Sequence, residues 1–113
     1  MRITTLVGSI EIPDVEPRRP HPDEALGLAL DTVRLTPLNG MRYLPQEGGS
    51  GWYLWGGEQM SHTADFFSPI QIQYVSDYVP NILPFLDLPP GFRFETDMKG
   101  HQKVWFDGSL LET

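Results

Sequence analysis

The chain has 113 residues, and its 15 acidic and 8 basic residues give a formal net charge of −7. This length suits one domain, residues 1–113, with a single hydrophobic core. The negative charge argues against nucleic acid and anionic membrane as partners, and no segment approaches the ~20 apolar residues that span a bilayer. The lack of cysteine excludes disulfides and thiolate metal sites and agrees with a reducing compartment. We therefore expect a cytoplasmic protein.

The first third of the chain predicts one extended segment, a linker and a helix. Residues 3–12 alternate loosely between apolar and polar types, which favours an early strand or hairpin arm. The four prolines within 13–22 indicate an exposed, extended linker. A proline is tolerated at the first position of a helix, so Pro22 favours a helix over about 22–34. Three apolar residues would share one face of that helix: Leu26, Leu30 and Val33.

The middle of the chain predicts strands. Residues 41–44 are compatible with a short strand. Residues 51–55 read GWYLW, an aromatic run typical of a strand, and the following Gly-Gly would end it or make a bulge. The polar stretch 58–63 is expected to be a loop.

Two further helices are expected after this loop. Ser68 can cap a helix, and Pro69 can occupy its first position. Apolar residues then recur at four-residue spacing, so we predict a helix over about 69–79. A second short helix is predicted over about 81–87, ahead of the rigid turn LPPG.

The last part of the chain predicts a β-hairpin. Residues 92–96 alternate apolar and polar side chains, 99–100 form a turn, and 103–106 return as the partner strand. Together these elements predict an α+β fold, in which an antiparallel sheet of about four to five strands packs against two to three helices.

No set of residues in the sequence forms a recognisable catalytic or metal site. The histidines, His21, His62 and His101, are far apart and lack the spacing of metal ligands. Ser50 lies in GGSGW, but Trp52 stands where a nucleophile elbow needs glycine. A phosphate-binding loop is also absent. We expect a protein that is not an enzyme and has no cofactor and no bound metal.

The aromatic strand is the best candidate for a binding site. Alternate residues of a strand face opposite sides, so Tyr53 and Trp55 share a side. If packing covers both sides, they are simply core residues. If one side is open, we expect them to anchor a protein partner beside Glu58 and Asp65, because such aromatic residues bury much area at little entropic cost. Two weaker candidates for the same surface are Asp97 and Asp107.

Several motifs in residues 49–108 resemble those of the bacterial immunity protein 33 family, which is related to a family long known only as a domain of unknown function. The motifs are SGWYLWGGE, DFFSPI, LPPGFRF and KVWFDG. The resemblance implies a non-enzymatic protein that binds and neutralises a cognate toxin, and nuclease toxins of such systems are often basic. Residues 1–48 match no pattern that we can name.

Two other functions stay open at this point. The first alternative is a small interaction or regulatory domain, which could form a homodimer through a sheet edge or an aromatic face. A small-molecule binder or hydrolase would use three carboxylates, namely those of Glu58, Asp65 and Asp97.

Overall fold

A mixed six-stranded sheet organises the chain, with a separate two-stranded hairpin before it. The computed structural model describes 4–7 and 10–13 as backbone, and residues 16–61, 63, 65–97 and 99–112 in full. The strands are β1 (Thr4–Val7), β2 (Ile10–Pro13), β3 (Ala25–Leu28), β4 (Leu38–Arg42), β5 (Gly49–Gly56), β6 (Ser68–Gln71), β7 (Phe92–Thr96) and β8 (Gln102–Phe106). The helical elements are α1 (Ile72–Val75) and two 3₁₀ helices, Leu83–Asp87 and Gly108–Leu111.

The order of strands in the large sheet is β6-β3-β5-β4-β7-β8. Strand β3 is parallel to β5, and the other neighbouring pairs are antiparallel. The predicted antiparallel sheet with two to three helices is therefore wrong: the sheet is mixed, and the described residues include one four-residue α-helix. The extended segment predicted over 3–12 as an early strand or hairpin arm contributes the paired strands β1 and β2. The strands predicted at 51–55 and 92–96 and the final hairpin are confirmed.

The helix predicted over 22–34 is wrong because this segment supplies strand β3. Leu26 and Leu28 are buried on one face of the sheet. Buried side chains in this segment therefore recur every two residues, as in a strand, and not every three to four, as in a helix. Gly27 between them lies against the ring of Tyr53, and a Cβ there would come within 2.7 Å of the ring carbon Cδ1. A helix would lose this close approach and the pairing of β3 with two neighbouring strands.

The helix predicted over 69–79 is also wrong in most of its length. Residues 68–71 form the edge strand β6, and the α-helix itself covers Ile72–Val75. Pro69 fits an edge strand because a proline lacks the N–H that a further strand would need. The segment predicted as a helix over 81–87 forms a 3₁₀ helix, Leu83–Asp87.

The main core lies on one face of the sheet, where α1 and the first 3₁₀ helix cover it. Trp52 is buried there, and its indole N–H donates to the carbonyl of Leu86 at 3.0 Å. The rings of Phe85 and Phe94 stack at 4.5 Å between centroids. These contacts join the centre of the sheet to the helical layer.

Arg42 is a buried cation within this core, with 1% of its surface exposed. Its Nε donates to the carbonyl of Ser50 at 2.9 Å, and its Nη1 donates to the carbonyls of Arg18, Leu86 and Leu88. Burial lowers the pKa of Arg42 to about 10, so the guanidinium stays charged at neutral pH.

The Pro-rich segment is attached to the rest of the fold through its arginines. The N–H of Arg18 donates to the carbonyl of Asp87 at 2.7 Å, and the guanidinium of Arg19 pairs with the carboxylate of Asp87 at 3.2 Å. Pro20 is buried. The described part of this segment, residues 16–22, therefore packs beside the first 3₁₀ helix.

Replacing Arg42 by methionine should destabilise the protein by at least about 3 kcal/mol, because several buried carbonyls would lose their donor at once. Urea unfolding followed by tryptophan fluorescence measures the change. The control is Arg34→Met, an exposed arginine whose loss should change the free energy of unfolding by less than about 0.5 kcal/mol. Equal midpoints for the two variants would contradict the role given to Arg42.

The turn between β7 and β8 is closed by a carboxylate. Asp97 Oδ1 accepts hydrogen bonds from the backbone N–H groups of Lys99 at 2.8 Å and His101 at 2.9 Å. The N–H of Lys99, followed by that of His101, lowers the pKa of Asp97 because both stabilise the charged form. Such a group stabilises the fold fully above the pKa of the unfolded chain, and the effect is lost as pH falls through the folded pKa.

Asp97→Asn should remove this pH dependence, since the amide oxygen can still accept a hydrogen bond but carries no charge. The stability difference between the wild type and Asp97→Asn should shrink between about pH 6 and about pH 2. Urea midpoints at several pH values measure it, with Asp31→Asn as the control for losing one exposed carboxylate elsewhere. A difference that stays constant over this range would rule out the explanation.

Candidate functional site

The two faces of strand β5 have different surroundings. Trp52 and Leu54 point into the main core. Trp55 belongs to a smaller cluster on the opposite face, which also holds Met41 and Leu110. Tyr53 lies on this opposite face too and is 36% exposed. The prediction that alternate residues of 52–55 face opposite sides therefore holds, and one aromatic residue on the second face remains accessible.

An open groove of about 950 Å³ lies on this second face. We call it the aromatic groove. The backbone of Gly27 forms part of its floor, which leaves room for the ring of Tyr53 to lie across β3. The side chains that matter most for its chemistry are Tyr43, Glu47, Tyr53, Met60, Phe67 and Glu112.

Three aromatic rings shape the groove. The rings of Tyr43 and Tyr53 lie 5.6 Å apart at an interplanar angle of 84°. The rings of Tyr53 and Phe67 lie 5.1 Å apart at 69°. Edge-to-face packing of this kind is favourable, and it turns successive ring faces in different directions. The ring of Tyr53 thus contacts both of the other rings.

Trp55 supports these rings from within the protein. It is 6% exposed, and its ring lies 6.5 Å from that of Phe67. Leu110, on the second 3₁₀ helix, packs into the same cluster. The indole Nε1 of Trp55 is buried without a hydrogen-bond partner. The structure thus places Trp55 behind the accessible surface, whereas Tyr53 is part of that surface.

A second, smaller cavity of about 440 Å³ brings several acidic side chains together. We call it the acidic cleft. Its acidic side chains are those of Glu58, Glu95 and Asp97, and His101 and Asn39 also line it. His101 Nε2 lies 2.8 Å from a carboxylate oxygen of Glu95. Two of the predicted acidic residues, Glu58 and Asp97, therefore share one cavity.

The aromatic groove and the acidic cleft lie along the same face of the sheet. On strand β5, Tyr53 lies opposite Met41 of β4, and Trp55 lies opposite Asn39 of β4. Asn39 in turn pairs with Glu95 on β7. Directly opposed residues of paired strands share a face of the sheet. Tyr53 in the groove, Trp55 beside it, and Asn39 and Glu95 in the cleft therefore all lie on the same face.

The other two predicted acids lie outside both cavities. Asp65 is exposed in the loop that precedes Phe66. Asp107 pairs with Arg93 at 3.2 Å and accepts hydrogen bonds from the hydroxyl and N–H of Ser109. The hydroxyl of Ser109, together with Arg93, lowers the pKa of Asp107. Asp107 thus caps the second 3₁₀ helix.

The sequence analysis missed several residues of this face. Tyr43 and Phe67 were not chosen, although both lie against Tyr53. Trp105 was also overlooked; Lys103 and Arg93 lie over its ring at 4.9 and 5.5 Å from the centroid. The run Asp65-Phe66-Phe67 before a proline was a usable sign of a second aromatic segment beside 51–55.

The described residues hold no group of three or more histidine, aspartate or glutamate side chains arranged to bind a metal ion. Among the helices in that part of the chain, none combines the length and apolar character that a membrane crossing requires.

Comparisons with known proteins bear on this face of the sheet. A search of curated proteins and a search of solved structures gave no match. The family model described as "Imm33-like domain" matches residues 9–107. This match begins well before the motifs of 49–108 and includes the Pro-rich segment, β3 and β4, so the part of the chain that resembled nothing known is largely covered. The chain belongs to the Imm33-like family.

Proposed function

We propose that this protein is a non-enzymatic immunity protein that binds a cognate bacterial toxin and neutralises it. The observation that carries the proposal is the Imm33-like match over residues 9–107. The partner is then a polypeptide, and inhibition results from covering its surface. Net charge −7 supports a basic partner, because opposite charges accelerate association.

We place the toxin-binding surface on the face of the sheet that carries the aromatic groove and the acidic cleft. Tyr53 supplies accessible aromatic area, and Trp55 holds Phe67 in place from behind. Glu58 and Asp97 line the cleft. Two further acids would lie at the periphery of this surface: Asp65 and Asp107.

The direct test is protection of cells. Expression of a candidate toxin gene from the neighbourhood of this one should stop growth, and co-expression of this protein should restore it. Purified toxin and purified protein should form a complex in size-exclusion chromatography with light scattering. If the protein neither protects against the neighbouring gene product nor binds it, the proposal fails. A stable homodimer that binds no toxin would instead favour the interaction-domain alternative.

Replacing Tyr53 by alanine should weaken toxin binding at least about fivefold, because exposed aromatic residues at the centre of an interface commonly contribute more than ~1 kcal/mol. Calorimetric titration measures the dissociation constant, and circular dichroism verifies folding. Tyr78→Ala is the matched control, since Tyr78 is also exposed but follows helix α1 on the other side of the sheet. Equal affinities of the two variants would exclude this face.

Neutralising one acid of the cleft and one at the periphery should slow association more than it speeds dissociation. For the pair Glu58→Gln and Asp65→Asn, we expect the association rate constant to fall about threefold or more at low salt, and less at high salt. Surface plasmon resonance separates the two rate constants. The pair Asp31→Asn and Asp77→Asn removes equal charge from exposed turns elsewhere, and an equal effect would show that only net charge matters.

A further inference from the structure

From the aromatic groove we propose a more specific role: it is a receptor for one cationic side chain, lysine or arginine, that projects from the partner protein. The inference rests on the proposed function only in taking the partner to be a polypeptide. The binding chemistry itself follows from the ring geometry and from the charges that line the groove.

The ring geometry suits a cation. The ring of Tyr53 packs edge to face against those of Tyr43 and Phe67, at interplanar angles of 84° and 69°, so the planes of these rings are steeply inclined to that of Tyr53. A cation is attracted to the face of an aromatic ring within about 6 Å of its centroid, and several angled faces act together as a cage. Tyr43 and Tyr53 are each 36% exposed, so their rings are accessible from the groove.

The charges favour the same occupant. Glu47 and Glu112 line the groove, and among the described residues of its lining there is no lysine or arginine. Arg93, which pairs across the sheet with Met41 of the groove lining, forms an ion pair with Asp107 at 3.2 Å, and Lys103 lies over Trp105. The two glutamates would therefore meet an incoming cation without competition from these side chains.

The apolar part of the lining fits the stem of such a side chain. Met60, Leu44 and Pro69 line the groove beside the rings. Lysine and arginine bury their methylene groups along apolar surface while the charged group stays near polar partners. A neutral aliphatic side chain would gain the apolar contacts alone, and an acidic one would be repelled by Glu47 and Glu112.

The test uses the full-length protein and three capped tripeptides, acetyl-Gly-X-Gly-amide, in which X is lysine, arginine or norleucine. Amide resonances are followed by NMR during titration. We expect saturable shifts at Gly27 and Tyr53 with the lysine or the arginine peptide, at affinities at least about fivefold above that of norleucine. Comparing the two cationic peptides shows which side chain is preferred.

Three variants locate the binding. Tyr43→Leu keeps apolar area but removes a ring face, and should weaken cation binding about threefold or more. The double change Glu47→Gln and Glu112→Gln should weaken it further and reduce its dependence on salt. Tyr74→Leu alters an exposed tyrosine beyond the groove, after β6, and should leave cation binding unchanged.

Norleucine binding as tightly as the cations would overturn the inference, as would cation-induced shifts confined to the acidic cleft around Glu58 and Glu95. These outcomes are separable from failure of the proposed function. Cation binding in a protein that protects against no toxin leaves the groove assignment intact. Toxin binding that is unaffected by Tyr43→Leu removes the groove from the interface and leaves the immunity function standing.

Discussion

The buried guanidinium of Arg42 is the constraint on which the rest of the structure depends. It joins four chain segments by donating to carbonyls of the Pro-rich segment, of β5 and of the turn around the first 3₁₀ helix. Its guanidinium carbon lies over the ring of Trp52, 5.7 Å from the ring centroid. Because the partners are carbonyl oxygens, no nearby carboxylate is needed to satisfy its donors, and the planar group fixes their directions as an ammonium would not.

Strand patterns that depend on local alternation could be predicted from the sequence, and the elements that depend on distant pairing could not. In the aromatic run of β5 and in the final hairpin, the alternation of side chains with a period of two is visible in the local sequence. Strand β3 is four residues long, and its leucines suit a helix as well as a strand. Only its pairing with β5 and β6, from later in the chain, decides between the two. Ser68 and Pro69 are a helix start by local rules, but edge pairing to β3 overrides them.

The candidate site was predictable to a similar degree. Alternation along β5 placed Tyr53 and Trp55 on one side, and acidity suggested carboxylates nearby. Which of the two rings is accessible depends on Leu110 and Phe67, which pack against Trp55 from later segments of the chain. Glu58 and Asp97 line the same cavity, and this too depends on the order of strands, in which β4 lies between β5 and β7. Such proximity arises from sheet order, which single residues do not encode.

One consequence follows from the central position of β5 between β3 and β4. Neighbouring residues of this strand point to opposite faces of the sheet: Trp52 and Leu54 pack into the main core, and Tyr53 points to the accessible face. An insertion or deletion of one residue within this strand would turn the following side chains to the opposite face, which would disrupt both the core and the accessible surface. Adaptation to a different ligand is consequently restricted to substitutions at every second position, or to the neighbouring loops, where changes in length are tolerated. The strand therefore provides a rigid surface at which few positions can change, and most variation in ligand binding must come from the residues and loops around it.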